Sequence, residues 1–94
     1  GLWLLRPGDD PRALWSSRSI DRQSSGFEHA AILTDLDSDG VDELYVANDK
    51  GAEVNQYRWV EGTPRKTTIH TYPGGFSGFT WNIMPCPTAL IPSP

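Results

Sequence analysis

Residues 32–47 read ILTDLDSDGVDELYVA, in which two short apolar runs enclose a loop that is rich in aspartate. The rest of the chain contains eight Lys and Arg and seven Asp and Glu, so its charges nearly cancel. The net charge of −4 therefore comes from this loop. Such a concentration of carboxylates indicates a bound cation, and a nucleic-acid groove would instead need a basic patch. Five of the twelve acidic residues of the chain fall within nine positions of the loop: Asp35, Asp37, Asp39, Asp42 and Glu43.

The spacing of the loop residues is typical of a calcium site. Calcium takes six to eight oxygen ligands at roughly 2.3–2.6 Å, mostly carboxylates and carbonyls. The first three aspartates stand at loop positions one, three and five, and Gly40 at position six permits a sharp turn. The carbonyl of the next residue falls at position seven, and a glutamate at position nine can supply another carboxylate. The sequence therefore predicts a Ca²⁺ site built from Asp35, Asp37, Asp39, Val41 and Glu43.

The loop differs from a helical EF-hand after its ninth residue. An EF-hand carries glutamate at position twelve, where this chain has Val46 inside an apolar run, so the loop leaves into a strand. The alternative interpretation is an empty polar turn, because Asp, Ser and Gly are common turn residues. Five carboxylates in nine residues repel one another without a cation, which favours the metal site.

The rest of the chain indicates strands and no convincing helix. Nine Gly and eight Pro point to many turns. The runs 30–33 and 44–47 are continuously apolar, so we expect them to be buried on both faces. The side chains of residues 54–60 alternate in polarity, with Tyr57 and Trp59 on one face and Arg58 on the other. We expect residues 62–64 to interrupt the strand structure. The predicted strands are residues 2–5, 13–20, 30–33, 44–47, 54–60, 66–72 and 79–84.

The chain also repeats two short motifs at nearly one period. Ser-Gly-Phe occurs at 25–27 and 77–79, and Pro-Arg occurs at 11–12 and 64–65. About 50 residues per four-stranded unit is the spacing of a propeller blade. Because fewer than two units cannot close a ring, we expect a piece of a larger propeller or a chain that pairs with others. The predicted units are residues 1–26, the second half of one repeat; 27–78, a complete repeat; and 79–94, the start of another repeat or a tail.

The stretch 32–47 resembles an FG-GAP or VCBS-type repeat, the calcium-binding blade of integrin-like β-propellers. The resemblance implies an all-β fold of antiparallel four-stranded blades, here about one and a half to two of them. It implies an ion in the hairpin between the first two strands, with ligands at Asp35, Asp37, Asp39, Glu43 and the Val41 carbonyl. Asp42 corresponds to a turn position and is not counted as a ligand. The resemblance and the weak affinity of such sites, ~10⁻⁴–10⁻³ M, imply an extracellular or cell-surface location.

Two functions follow from this interpretation. The first is a calcium-stabilised structural, adhesive or binding module, whose partners are other blades, neighbouring chains, or a protein or glycan ligand. The alternative is an accessory part of a propeller-fold polysaccharide lyase or hydrolase. We expect no enzymatic activity, because His29 and His70 lack acidic or nucleophilic neighbours at motif spacing, and no phosphate loop or zinc set is present.

The remaining aromatic and sulfur-containing residues are expected to be structural. Trp3, Trp15, Trp59 and Trp81 are predicted core residues, with sugar stacking as the alternative. Cys86 is the one cysteine, so it has no partner for an internal disulfide and is expected to be a small buried residue. No run approaches the ~20 apolar residues of a membrane-spanning helix.

Overall fold

The computed structural model describes residues 1–24, 28, 30–73 and 83–86 of the chain. Within these residues the fold is all-β, with one two-stranded and one four-stranded antiparallel sheet and no helix. None of the described residues forms a helix that could cross a membrane. The strands are β1 Leu2–Arg6, β2 Ser16–Asp21, β3 Ala31–Thr34, β4 Glu43–Asn48, β5 Glu53–Val60 and β6 Thr63–Thr71.

The four-stranded sheet is a meander with the order β3-β4-β5-β6. Its connections are short enough for antiparallel neighbours: residues 35–42, residues 49–52 and a two-residue turn. That last turn has positive φ at both Glu61 (51°) and Gly62 (77°), the combination required by a type I′ hairpin. The predicted break at 62–64 is therefore wrong, because the turn is complete by Gly62. Pro64 lies inside β6, an edge strand, where a residue without an N–H is tolerated.

Burial differs between the two apolar runs. β4 is buried on both faces, as predicted, and it pairs with β3 on one side and β5 on the other. The same prediction is wrong for β3, where Ala31 is exposed and Leu33 is 55% exposed. Ala31 and Leu33 share one face of β3, and that face is not covered, whereas Ile32 and Thr34 on the other face are half-buried. The alternation in β5 is confirmed, with Tyr57 buried and Arg58 exposed.

The two-stranded sheet contacts one face of the larger sheet through polar side chains. Its strands β1 and β2 are antiparallel, with an irregularity at Leu2/Trp3. Asp21 at the end of β2 accepts a 2.6 Å hydrogen bond from the Tyr57 hydroxyl and lies 3.5 Å from Lys66 Nζ. Tyr57 and Lys66 are register partners on β5 and β6, so both point to the same face. The N-terminal hairpin therefore contacts this face through polar side chains at Tyr57 and Lys66.

The opposite face is covered by a segment from the C-terminal part of the chain. Ile32 and Tyr45 are register partners on this face. They line a cavity of about 150 Å³ together with Ile83, Met84 and Pro85. Residues that precede the four-stranded sheet thus contact one of its faces, and residues that follow it lie over part of the other.

Several predictions outside the larger sheet need correction. Trp3 and Trp15 are 54% and 44% exposed and are not core residues; Trp3 lies in β1, and Trp15 lies in the connection just before β2. Cys86 is exposed rather than buried. Of the predicted strand 79–84, residues 83 and 84 are described and lie outside any strand, and 79–82 fall outside the described residues. Trp81 and both copies of Ser-Gly-Phe also fall outside the described residues. Of the two Pro-Arg pairs, 11–12 precedes β2 whereas 64–65 lies within β6.

Candidate metal centre

The aspartate-rich loop joins the ends of β3 and β4. Thr34 and Glu43 are register partners at the last rung of this hairpin, so the ladder fixes both ends of the loop. Asp35 follows β3 directly, and Glu43 is the first residue of β4. The geometry brings four of the predicted ligands together: one carboxylate oxygen from each lies within 4.8 Å of the others in the set Asp35, Asp37, Asp39 and Glu43.

The loop backbone curls around the carboxylate of Asp35. Its two oxygens accept hydrogen bonds from the N–H of Asp39 (3.1 Å) and the N–H of Gly40 (2.7 Å). Ser38 (φ 59°) and Gly40 (φ 87°) lie in the left-handed region, which tightens the curl. A Cβ at Gly40 would meet no atom within 4 Å, so the backbone angle rather than space calls for glycine.

The loop carboxylates perturb one another's ionisation. The pKa of Asp35 lies below its usual value: burial acts to raise it, and hydrogen bonds from Gly40, Asp37 and Asp39 outweigh burial. The pKa of Asp37 is raised, chiefly by its hydrogen bond with Asp35, with burial and the charge of Asp39 adding to the effect. Crowding therefore disfavours full ionisation of the aspartates, and a cation among them would relieve this repulsion.

Glu43 differs from the aspartates because it is buried, with 2% exposure. Its Oε1 atom lies 3.4 Å from Nη2 of Arg58 on β5. Its Oε2 atom is buried and has no hydrogen-bond partner in the described part of the chain. A buried carboxylate oxygen without a partner is costly, and ligation of a metal would satisfy it.

The remaining predicted loop positions lie beside this cluster. Val41 is exposed, and its N–H donates a 2.9 Å hydrogen bond to Oδ1 of Asp39. Ligation through its carbonyl stays a prediction. Asp42 is exposed and lies outside the four-residue cluster, and its exclusion from the ligands stays a prediction.

The donor set consists of carboxylate oxygens, which suit a hard divalent ion such as calcium or magnesium. Two oxygens bound to one calcium lie at most about 5.2 Å apart, twice the longest usual Ca–O distance, and the cluster falls within this limit. Zinc, by contrast, prefers nitrogen and sulfur ligands, which this loop does not offer. These four residues could therefore hold a divalent cation, and calcium stays the predicted ion.

Sequence reasoning missed Arg58, which it assigned to the exposed face of an alternating strand. The signal lay in the hairpin register: Leu44 pairs with Tyr57, so one step further Glu43 faces Arg58. Centring that hairpin on residues 49–52 places the two charges opposite each other, whereas a centre at 48–51 would shift the register by two residues. Among the histidines, His70 is a strand residue, as predicted, and packs edge-on against Tyr72 at 5.1 Å. His29 lies outside the described residues.

Comparisons of the chain with models of known protein families, with curated proteins and with solved structures found no match at all.

Proposed function

We propose that this chain is a calcium-stabilised β-propeller-type repeat segment that serves as a structural, adhesive or binding module. The observation that carries the proposal is the buried Oε2 atom of Glu43, which lacks a hydrogen-bond partner in the described residues and belongs to a cluster with three aspartates. A buried carboxylate of this kind distinguishes the loop from an ordinary polar turn, whose side chains water can solvate.

The blade-like arrangement of the larger sheet supports the propeller part of the proposal. It is a four-stranded antiparallel meander, and the candidate metal loop lies between its first two strands. A shift of 52 to 53 residues places β1 on β5 and lets β2 overlap β6, so the N-terminal hairpin corresponds to the second half of a repeat. This supports units at 1–26, 27–78 and 79–94, with one blade complete.

The exposed apolar side chains of β1 support the expected partners. Trp3 and Leu5 are more than half exposed on the outer face of the N-terminal hairpin. In our proposal, further blades of the same protein or a neighbouring chain cover this face, and a protein or glycan ligand binds the assembled surface. An extracellular or cell-surface location would supply the calcium concentration that such a site requires.

A calorimetric titration with CaCl₂ tests the proposal. We expect binding heat from the 94-residue chain and a loss of at least tenfold in affinity in Asp37→Asn, which removes one ligand charge with little change in shape. Asp42→Asn is the matched control, because it removes a charge from the same loop outside the cluster, and it should bind like the parent. No heat from the parent, or equal affinity in Asp37→Asn, would contradict the calcium site.

A further inference from the structure

The buried carboxylate of Glu43 lies between two sources of positive charge, one present in the chain and one proposed. Burial of a carboxylate is unfavourable unless a counter-charge lies beside it. On the strand side, the guanidinium of Arg58 approaches Oε1 at 3.4 Å. On the loop side, the carboxylates of Asp35, Asp37 and Asp39 gather around the position that a cation would take.

Arg58 is placed by the sheet and not by the loop. It lies on β5, two strands away from β3, and its side chain is 54% exposed. Its register partner on β6 is Arg65, so a second guanidinium lies on the same face one strand farther away. The β-sheet thus holds a positive charge beside Glu43 whether or not a metal is present.

We infer that Arg58 is the built-in counter-cation of Glu43, and that it competes electrostatically with calcium for this carboxylate. The inference rests on the proposed calcium site. Arg58 neutralises the buried charge in the metal-free chain, so the hairpin stays folded without the ion. The same guanidinium repels a divalent cation bound to the same carboxylate, which weakens calcium binding. Arg58 therefore sets how strongly the fold depends on calcium.

The Arg58→Gln variant is expected to be less stable than the parent without metal and to bind calcium more tightly than the parent. Without metal, the variant leaves Glu43 buried with no charged partner, so its melting temperature should fall by about 4–8 °C, as a loss near 1 kcal/mol produces in a chain of this size. With calcium bound, the ion supplies the missing counter-charge and the repulsion is gone. Calcium affinity should therefore rise by roughly three- to tenfold.

The experiment measures thermal melting in excess chelator and in saturating calcium, together with a calorimetric calcium titration. Arg58→Gln should melt lower than the parent in chelator and close to it in calcium, and it should bind calcium more tightly. Arg65→Gln is the matched control, since it removes the same charge from the same face at a greater distance. It should change both readouts by less than half as much.

Three results would overturn the inference. Weaker calcium binding by Arg58→Gln would make Arg58 an orienting residue. An equal fall in melting temperature in both conditions, including failure to fold even with calcium, would make the contact an ordinary stabilising ion pair. Unchanged values would make it an idle surface contact. Failure of the calcium site itself is distinguishable, because the parent chain would then give no binding heat.

Discussion

At the residue scale, the loop depends on a single backbone conformation at Gly40. Its φ of 87° belongs to the left-handed region, and the space around it is open. Because a side chain would meet no neighbour, any cost of substitution reports backbone strain and not a clash. This residue therefore isolates one physical contribution to loop stability.

We expect Gly40→Ala to lower the free energy of unfolding by about 1–2 kcal/mol, the cost of holding a residue with a Cβ at positive φ. Urea denaturation measures this change. Gly8→Ala is the matched control, since Gly8 also has open space around it but no positive φ, and it should be neutral or slightly stabilising. Similar losses in both variants would contradict the strain account.

At the same scale, the sequence predicted the acidic residues of the loop but did not predict the contact between Glu43 and Arg58. Asp35, Asp37 and Asp39 are close in the chain, so their spacing alone determines that a curled backbone gathers their carboxylates. The contact of Glu43 with Arg58 spans 15 residues and two strands, and depends on register. Local periodicity places Arg58 on the correct face but does not tell which residue lies across from it.

At the element scale, the strands were predictable where apolar runs and alternation extend over several residues, as in β4 and β5. The start of β6 was not, because Gly62-Thr63-Pro64 resembles a break, and only the turn geometry shows that Glu61 and Gly62 complete the reversal. The burial of β3 was also mispredicted, since an apolar run cannot reveal which face of its strand the rest of the chain covers.

The β5–β6 turn offers a test of this geometry. Glu61 holds a φ of 51°, which Glu adopts with strain and Asn tolerates more readily. We expect Glu61→Asn to raise the free energy of unfolding by about 0.5 kcal/mol in urea denaturation.

Lys50→Asn serves as the control for that turn. Lys50 is an exposed residue of the 49–52 connection and has no positive φ, so the same substitution there should leave stability unchanged. An equal gain at both positions, or a loss at Glu61, would contradict a type I′ turn.

At the scale of the whole molecule, the contact between the two sheets has a defined dependence on pH. The pKa of Tyr57 is raised well above its ordinary value of 10, by burial first and then by the hydrogen bond and charge of Asp21, with Glu28 and Glu53 adding. The pKa of Asp21 is lowered: burial opposes this, and hydrogen bonds from Tyr57 and the Gln23 N–H, with Lys66, outweigh burial.

The raised pKa of Tyr57 and the lowered pKa of Asp21 make the fold less stable at alkaline pH and at acidic pH, respectively. The native phenol of Tyr57 keeps its proton where the unfolded chain loses it, so stability falls as pH rises above about 10. Asp21 contributes stability above its ordinary pKa of 3.8, and this contribution is lost as pH falls through the lower native value. The alkaline loss is the better test, because the loop aspartates also titrate in acid.

We expect Tyr57→Phe to reduce the alkaline loss of stability, measured by urea denaturation at pH 8, 9 and 10.5. Tyr45→Phe is the control, because it removes a phenol on the opposite face, away from Asp21, and should keep the fall above pH 10. The account is contradicted if Tyr57→Phe loses as much stability on going to pH 10.5 as the parent does.

The position of β3 has a mechanical consequence. The chain enters β3 at Ala31, pairs it with Val46, and reaches the Thr34–Glu43 rung last, next to the loop. A force that pulls on the preceding chain would therefore unzip β3 one rung at a time, from Ala31 toward Thr34. A cation held by residues on both sides of the loop would clamp the final rung. Resistance to pulling would then depend on the metal more than on the four backbone pairs of this short strand.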